Sequence, residues 1–106
     1  MARQPRPGVY VLRDNDDDVG CVVRVGRTKD MNRRRREHRR DPLLWRYDFE
    51  EVFLTASYSI QRGLEQLLHE QHRPLFNLIE PISPRSPRRH IYLAAARRFL
   101  QAQGHG

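Results

Sequence analysis

An apolar strand that stops at a glycine and runs straight into an arginine-loaded helix narrows what this chain can fold into. Val22, Val23, Arg24, Val25 and Gly26 have strand composition, and Gly26 to Arg40 then reads GRTKDMNRRRREHRR. Thr28 or Asp30 can cap a helix there, because a short side-chain oxygen accepts from the free N–H groups of a first turn. The helix carries Arg33, Arg34, Arg35, Arg36, Arg39 and Arg40, and the spacing of Arg34 and His38 puts them on one face. A solvated basic helix is the plainest interpretation of such a run. The junction is also well built to hold a phosphodiester. Glycine allows close backbone approach, the helix start offers N–H donors, and guanidinium forks grip phosphate oxygens.

Charge narrows the partners. The chain has 106 residues, a formal net charge of +7 and a pI near 10.7, and Lys29 is the only lysine beside nineteen arginines. Arginine suits planar recognition of phosphate and base edges. The imbalance favours a polyanion: nucleic acid first, an acidic protein second, an anionic membrane surface a distant third. The length predicts a single domain, 1–106, with one modest core. Cys21 is the only cysteine, which excludes an intrachain disulfide, and its apolar surroundings predict a buried thiol. The start, MARQPRPGVY, lacks the apolar run of a signal peptide, and no stretch approaches a transmembrane span.

In chain order, residues 1–7 read as a flexible arm. Gly8–Leu12 reads as a strand, with Val9 and Val11 on one face and Tyr10 and Leu12 on the other. An acidic turn with Asp16, Asp17 and Asp18 leads to a second strand, Gly20–Gly26, in hairpin pairing with the first. It lacks the glycine and distal glutamate of a calcium loop. Strict alternation groups Val22 with Arg24 and Cys21 with Val23 and Val25. Asp41-Pro42 ends the basic helix, and Leu43, Leu44, Trp45 and Tyr47 form an apolar connection expected to cover the core. Asp48–Leu54 is a third strand. Ser59–Gln71 is an amphipathic helix with Ile60, Leu64, Leu67 and Leu68 as its stripe and Glu65 just off it, beside Gln61, His69 and His72. Residues 80–106 form a C-terminal extension whose last helix starts near Pro87 or His90, ends near Gln103 and buries Tyr92, Ala95, Ala96 and Phe99. The economical fold is α+β: a three-stranded, mainly antiparallel sheet flanked by helices.

These elements carry a resemblance to the GIY-YIG nuclease domains. The first signature appears as Gly8-Val9-Tyr10. The second appears as Arg24-Val25-Gly26, with arginine where the second tyrosine is usual. Arg27, Thr28, Asp30, Met31, Arg34 and His38 match the basic, Thr, acidic, apolar, Arg and His positions that follow in the family. Glu65, Pro74 and Asn77 fit its helix glutamate and the Pro and Asn beyond. The match spans Gly8 to Asn77.

The resemblance implies a catalytic set of Tyr10, Arg24, Arg34, His38 and Glu65. Glu65 would hold Mg²⁺ or Mn²⁺ through one carboxylate oxygen, with phosphate and water completing an octahedron. Arg34 would neutralise charge on the phosphoryl oxygens. Tyr10 would orient or deprotonate water, its pKa lowered by the arginines around it, with His38 as proton shuttle or hydrogen-bond partner. Arg24 cannot copy a tyrosine hydroxyl or act as a base, and binds phosphate instead. Arg27, Arg33, Arg35 and Asn77 complete the nucleic-acid contacts, Asn77 by tying the loop after the helix back to the site. His69 and His72 lack a third ligand and stay outside it.

The tail, Glu80 to Phe99, resembles the end of nuclease domains in bacterial polymorphic toxins of the Rhs and contact-dependent type. That resemblance implies a DNA-cleaving toxin module, RNA remaining open as a substrate, that acts in the bacterial cytoplasm after delivery and is held in check by a small acidic immunity protein. A binding module that lost cleavage at Arg24, and a small stand-alone restriction or repair enzyme, are the alternatives.

Overall fold

In the computed structural model, which describes residues 4–16 and 20–104, the elements run β1 (Gly8–Arg13), β2 (Val22–Thr28), α1 (Met31–Arg40), β3 (Asp48–Leu54), α2 (Tyr58–His72) and α3 (Arg89–Ala102). The strands form one antiparallel sheet in the order β2-β1-β3. This is the α+β architecture that the sequence predicts, with every pairing antiparallel. Val9 and Val11 pack with Leu64 of α2 and Ala96 of α3 on one face. Tyr10 and Leu12 pack with Met31 of α1 and with Leu44 on the other. Each such aliphatic burial contributes roughly 1.5–3 kcal/mol, so the alternation of β1 decides which helices lie on which side.

β2 breaks strict alternation. Leu12 pairs with Arg24 and Arg13 with Val22, which leaves Val23 as an extra residue. The bulge sends Val22 to the Val9 face with Val25, and Val23 to the Tyr10 face. Arg24 takes the register of Leu12 and so shares the face of Tyr10, while its expected grouping with Val22 fails. Cys21 is also corrected: it precedes β2 in the turn, its carbonyl accepting from the Asp14 N–H at 2.8 Å, and it is exposed. Asp17 and Asp18 of the acidic turn lie outside the described residues.

The helix ends follow the side chains present. Asp30 caps α1 by accepting from the Asn32 N–H at 3.2 Å, and Ser57 caps α2 by accepting from the Ile60 N–H at 3.3 Å. Arg73 closes α2 in the left-handed region at φ 44°. α3 is part of the core rather than an appendage: Ala96 is fully buried and Phe99 meets Phe53 edge-on at 5.8 Å. Gln66, also fully buried, fastens the loop before α3, because its Oε1 accepts from the Ile82 N–H at 3.0 Å and its amide donates to Glu70 and Glu80.

Two further expectations are corrected. The end of the supposed arm is held: the Arg6 and Pro7 carbonyls accept from Met31 and Thr55, and Arg6 pairs with Glu51 at 2.8 Å. Residues 1–3 lie outside the described residues. In the 43–47 connection Leu44 and Tyr47 pack on the core as expected, while Leu43 and Trp45 are 77% and 63% exposed, because the turn at Asp41–Tyr47 presents one side to the sheet and the other to solvent. Among the described residues, no helix is long and apolar enough to cross a membrane.

Gly63 sets the distance between α2 and α3. A Cβ there would fall 2.0 Å from the Tyr92 carbonyl oxygen and 2.7 Å from the Ala96 Cβ. Gly63→Ala is therefore expected to destabilise the fold by about 1–3 kcal/mol, as overpacking does, read as a lower denaturant midpoint. An unchanged midpoint would mean that the two helices do not pack this closely.

Candidate active site

The site forms where β2 lies at the edge of the sheet, so that α1 from one face and α2 from the other both reach it. A single cleft of about 350 Å³ is lined by Tyr10, Arg24, Gly26, Arg27, Arg34, Arg62, Glu65 and Asn77, among others. Tyr10, Arg24, Arg34 and Glu65 of the expected catalytic set thus meet in one cleft. His38 stands behind them, its Nε2 at 3.0 Å from the Tyr10 hydroxyl in a buried hydrogen bond. The phenol ring is fixed by stacking on Phe49 at 4.6 Å. Gly26 is glycine for a packing reason: a Cβ there would lie 2.5 Å from the Tyr10 hydroxyl oxygen.

Glu65 enters from α2 and is mostly buried. Arg27 Nε forms an ion pair with it, 3.7 Å from Oε1, and that oxygen has no hydrogen-bond partner among the described residues. Arg34 Nε and Arg62 Nε are likewise buried without a partner among the described residues. Buried polar atoms left open cost stability, and three of them around one cleft mark a place shaped for something polar. Arg27 is held in position over the Tyr58 ring at 4.9 Å. Arg62 lies 5.8 Å from the same ring and from that of Tyr92. Arg62 was not among the sequence candidates. The signal was there, since Arg62 and Glu65 are spaced to share a helix face.

The remaining candidates divide. Asn77 ties the loop to the strand edge: its Oδ1 accepts from the Val25 N–H at 2.8 Å and its amide donates to the Val25 carbonyl at 3.0 Å. Both functions of the side chain are thus used in positioning. Arg35 points away from the cleft, paired with Glu51 at 3.0 Å and lying over Phe49 at 5.0 Å, beside a second hollow of about 460 Å³ between α1 and β3. Arg33 is exposed on the outer face of α1, 3.8 Å from Glu37. Arg33 and Arg35 therefore do not line the cleft that holds Tyr10, Arg24, Arg34 and Glu65, and Arg35 shares the second hollow with His38.

Electrostatics corrects the expected state of Tyr10. Burial raises its pKa, and the opposing pull of Arg24 and Arg34 does not overcome it. The phenol is protonated at neutral pH, because losing hydration costs the phenolate more than the guanidinium charges return. Burial likewise lowers the pKa of His38, helped by Arg24 and Arg34, so the imidazole is neutral. A protonated phenol against a neutral imidazole gives a donor and an acceptor in contact. Glu65 is raised by burial, against the opposing charges of Arg27, Arg62 and Arg24.

No group of three or more His, Cys, Asp or Glu side chains among the described residues is placed to hold a metal. The donor set fits a divalent cation only in the single-carboxylate form: Glu65 Oε1 is buried, without a hydrogen bond among the described residues, and in the cleft. Four arginines around it repel a lone cation, so an ion and a phosphate would have to enter together, each offsetting the other's charge. A scan against family models found no match for this chain, and no curated protein matches its sequence.

The pKa directions fix a sign for stability. The folded-state pKa of His38 lies below its ordinary 6.5. The unfolded chain therefore binds the proton first, and stability is present above pH 6.5 and lost progressively as pH falls from that value through the lower folded-state pKa. His72, lowered by burial, acts in the same direction, while Glu65, raised from 4.5, acts oppositely above that pH. His38→Asn should reduce the loss of stability between neutral and mildly acid pH, measured by denaturant unfolding at several pH values. A slope identical to wild type would contradict a buried neutral His38.

Proposed function

We infer that this chain is a metal-dependent endonuclease that hydrolyses phosphodiester bonds of DNA. The observation that carries it is the Glu65 oxygen without a hydrogen bond among four arginines, with Tyr10 lining the same cleft and His38 hydrogen-bonded behind it. Arg24 and Arg34 would grip the phosphate oxygens and bear the charge that develops on them. The Tyr10 oxygen would accept a hydrogen bond from the attacking water. As the water oxygen bonds to phosphorus, its proton would pass to Tyr10 and the phenolic proton to His38 Nε2, so that no free phenolate forms. The P–O bond to the leaving oxygen then breaks, and that oxygen takes a proton from solvent. Glu65 would hold Mg²⁺ or Mn²⁺, which when bound supplies Lewis-acid polarisation of the phosphate.

The GIY-YIG resemblance supports this chemistry, and the resemblance of residues 80–99 supports a bacterial toxin module acting in the cytoplasm and controlled by an acidic immunity protein. One feature favours the second reading, a nucleic-acid-binding module with impaired cleavage: Arg24 stands where a hydroxyl is usual, beside a phenol whose pKa is raised.

Plasmid nicking with Mg²⁺ separates the two. Cleavage is expected from wild type, abolished by Glu65→Ala and by excess EDTA. Cutting that persists under either condition would contradict the assignment, and binding without cutting would favour the second reading. Arg24→Ala should weaken turnover or binding roughly 10- to 100-fold, the loss of a charge-assisted contact of about 1.5–3 kcal/mol. Arg24→Tyr should retain or raise activity. Wild-type behaviour in both Arg24 variants would leave Arg24 as a solvated strand residue.

A further inference from the structure

Beside the cleft, in the connection after α1 and the loop after α2, a ledge of large apolar side chains stands exposed and outside the chemistry. Leu43, Leu75, Leu78 and Ile79 are 77%, 72%, 93% and 84% exposed, and Phe76 is 40% exposed. The ledge is joined to the site. The Phe76 N–H donates to the Val23 carbonyl at 2.8 Å, and Phe76 and Leu43 share a hollow of about 240 Å³ with Arg24. Leu78 and Ile79 lie between Asn77 and Pro81, both of which line the cleft. Single exposed apolar residues are ordinary, whereas a run of large ones rimmed by charge marks an interaction surface.

We propose that this ledge is the docking surface for an acidic protein, which seats apolar anchors on Leu43, Phe76, Leu78 and Ile79 and directs carboxylates at Arg24 and Arg34, covering the cleft. Three observations select that occupant. Leucine and isoleucine have no planar face to stack on a base and no donor for a phosphate, and the one aromatic ring, Phe76, is packed edge-on against Tyr47 at 5.4 Å, so the ledge does not suit nucleic acid. A second copy would bring another +7 charge and another arginine-lined cleft to the same place, which repels. The arginines of the cleft need negative charge from whatever lies across them, and a carboxylate supplies it as a phosphate would. Apolar anchors at the centre with ion pairs at the rim give affinity from the first and fast, salt-sensitive association from the second. The proposal takes from the functional reading only the acidic partner and does not depend on cleavage.

The test uses a random peptide library displayed on phage, selected against the whole chain. Enriched peptides are expected to combine Asp or Glu with Leu, Ile, Phe or Trp. Leu78→Ser with Ile79→Ser should weaken them about 10-fold or more, as loss of interface anchors does, and high salt should slow their association. The same double variant should bind a fluorescent DNA duplex as wild type does, and circular dichroism should show its fold unchanged. No enrichment, or purely acidic peptides indifferent to the double variant, would overturn the proposal. So would loss of duplex binding, which makes the ledge a nucleic-acid surface. A dimer of the chain alone that the double variant dissolves would assign the ledge to a second copy instead. Peptides that behave as expected on a protein that never cuts DNA would refute the nuclease assignment and leave the docking surface standing.

Discussion

The edge position of β2 is the constraint on which the site depends. A strand with neighbours on both sides would separate the helices of opposite faces, whereas an edge strand lets both wrap around it. Arg34 arrives from the Tyr10 face and Glu65 from the Val9 face, and they meet at Gly26. An open edge is also a pairing hazard. Here the loop after α2 covers it, with Phe76 and Asn77 taking the Val23 and Val25 backbone groups. The closure that protects the edge also forms one wall of the cleft.

Burial sets the chemistry within that frame. The arginines are numerous enough to suggest a depressed phenol, yet Tyr10 is enclosed by Phe49, His38 and the bare backbone of Gly26, and desolvation wins. A protonated Tyr10 and a neutral His38 form a pair able to pass one proton between them. Glu65, isolated among guanidinium groups, is left without a hydrogen bond at one oxygen. The ion pairs elsewhere do little for stability. Arg35–Glu51 and Arg13–Glu50 are partly exposed, and such pairs contribute about 0–1 kcal/mol each. The fold rests on the two apolar faces of β1.

Much of this was legible in the sequence because its signals were periodic. The alternation of β1, the capped start of α1, the bounds of β3 and the stripe of α2 follow from local pattern, and it was the family resemblance that implied a common site for Tyr10, Arg34, His38 and Glu65. What stayed hidden depended on register or depth. The bulge at Val23, which reassigns Val22, is one extra residue with no mark of its own in the sequence. The raised pKa of Tyr10 reflects burial that a count of arginines does not register. Arg33 and Arg35 looked equivalent to Arg34, but successive helix positions point in different directions, and only Arg34 faces the cleft. The exposure of Leu78 and Ile79 could not be read from residues that would suit a core equally well.

Metal binding at Glu65 is the central claim, and it has a direct measurement that does not depend on turnover. Mn²⁺ is added to ¹⁵N-labelled protein, and the broadening of amide signals by the paramagnetic ion is recorded with and without a nuclease-resistant phosphorothioate duplex. The account predicts weak broadening from Mn²⁺ alone, because the four arginines oppose it, and strong broadening centred on Gly26, Arg27 and Glu65 once the duplex is present. Broadening centred elsewhere, or none at the cleft with the duplex bound, would contradict it.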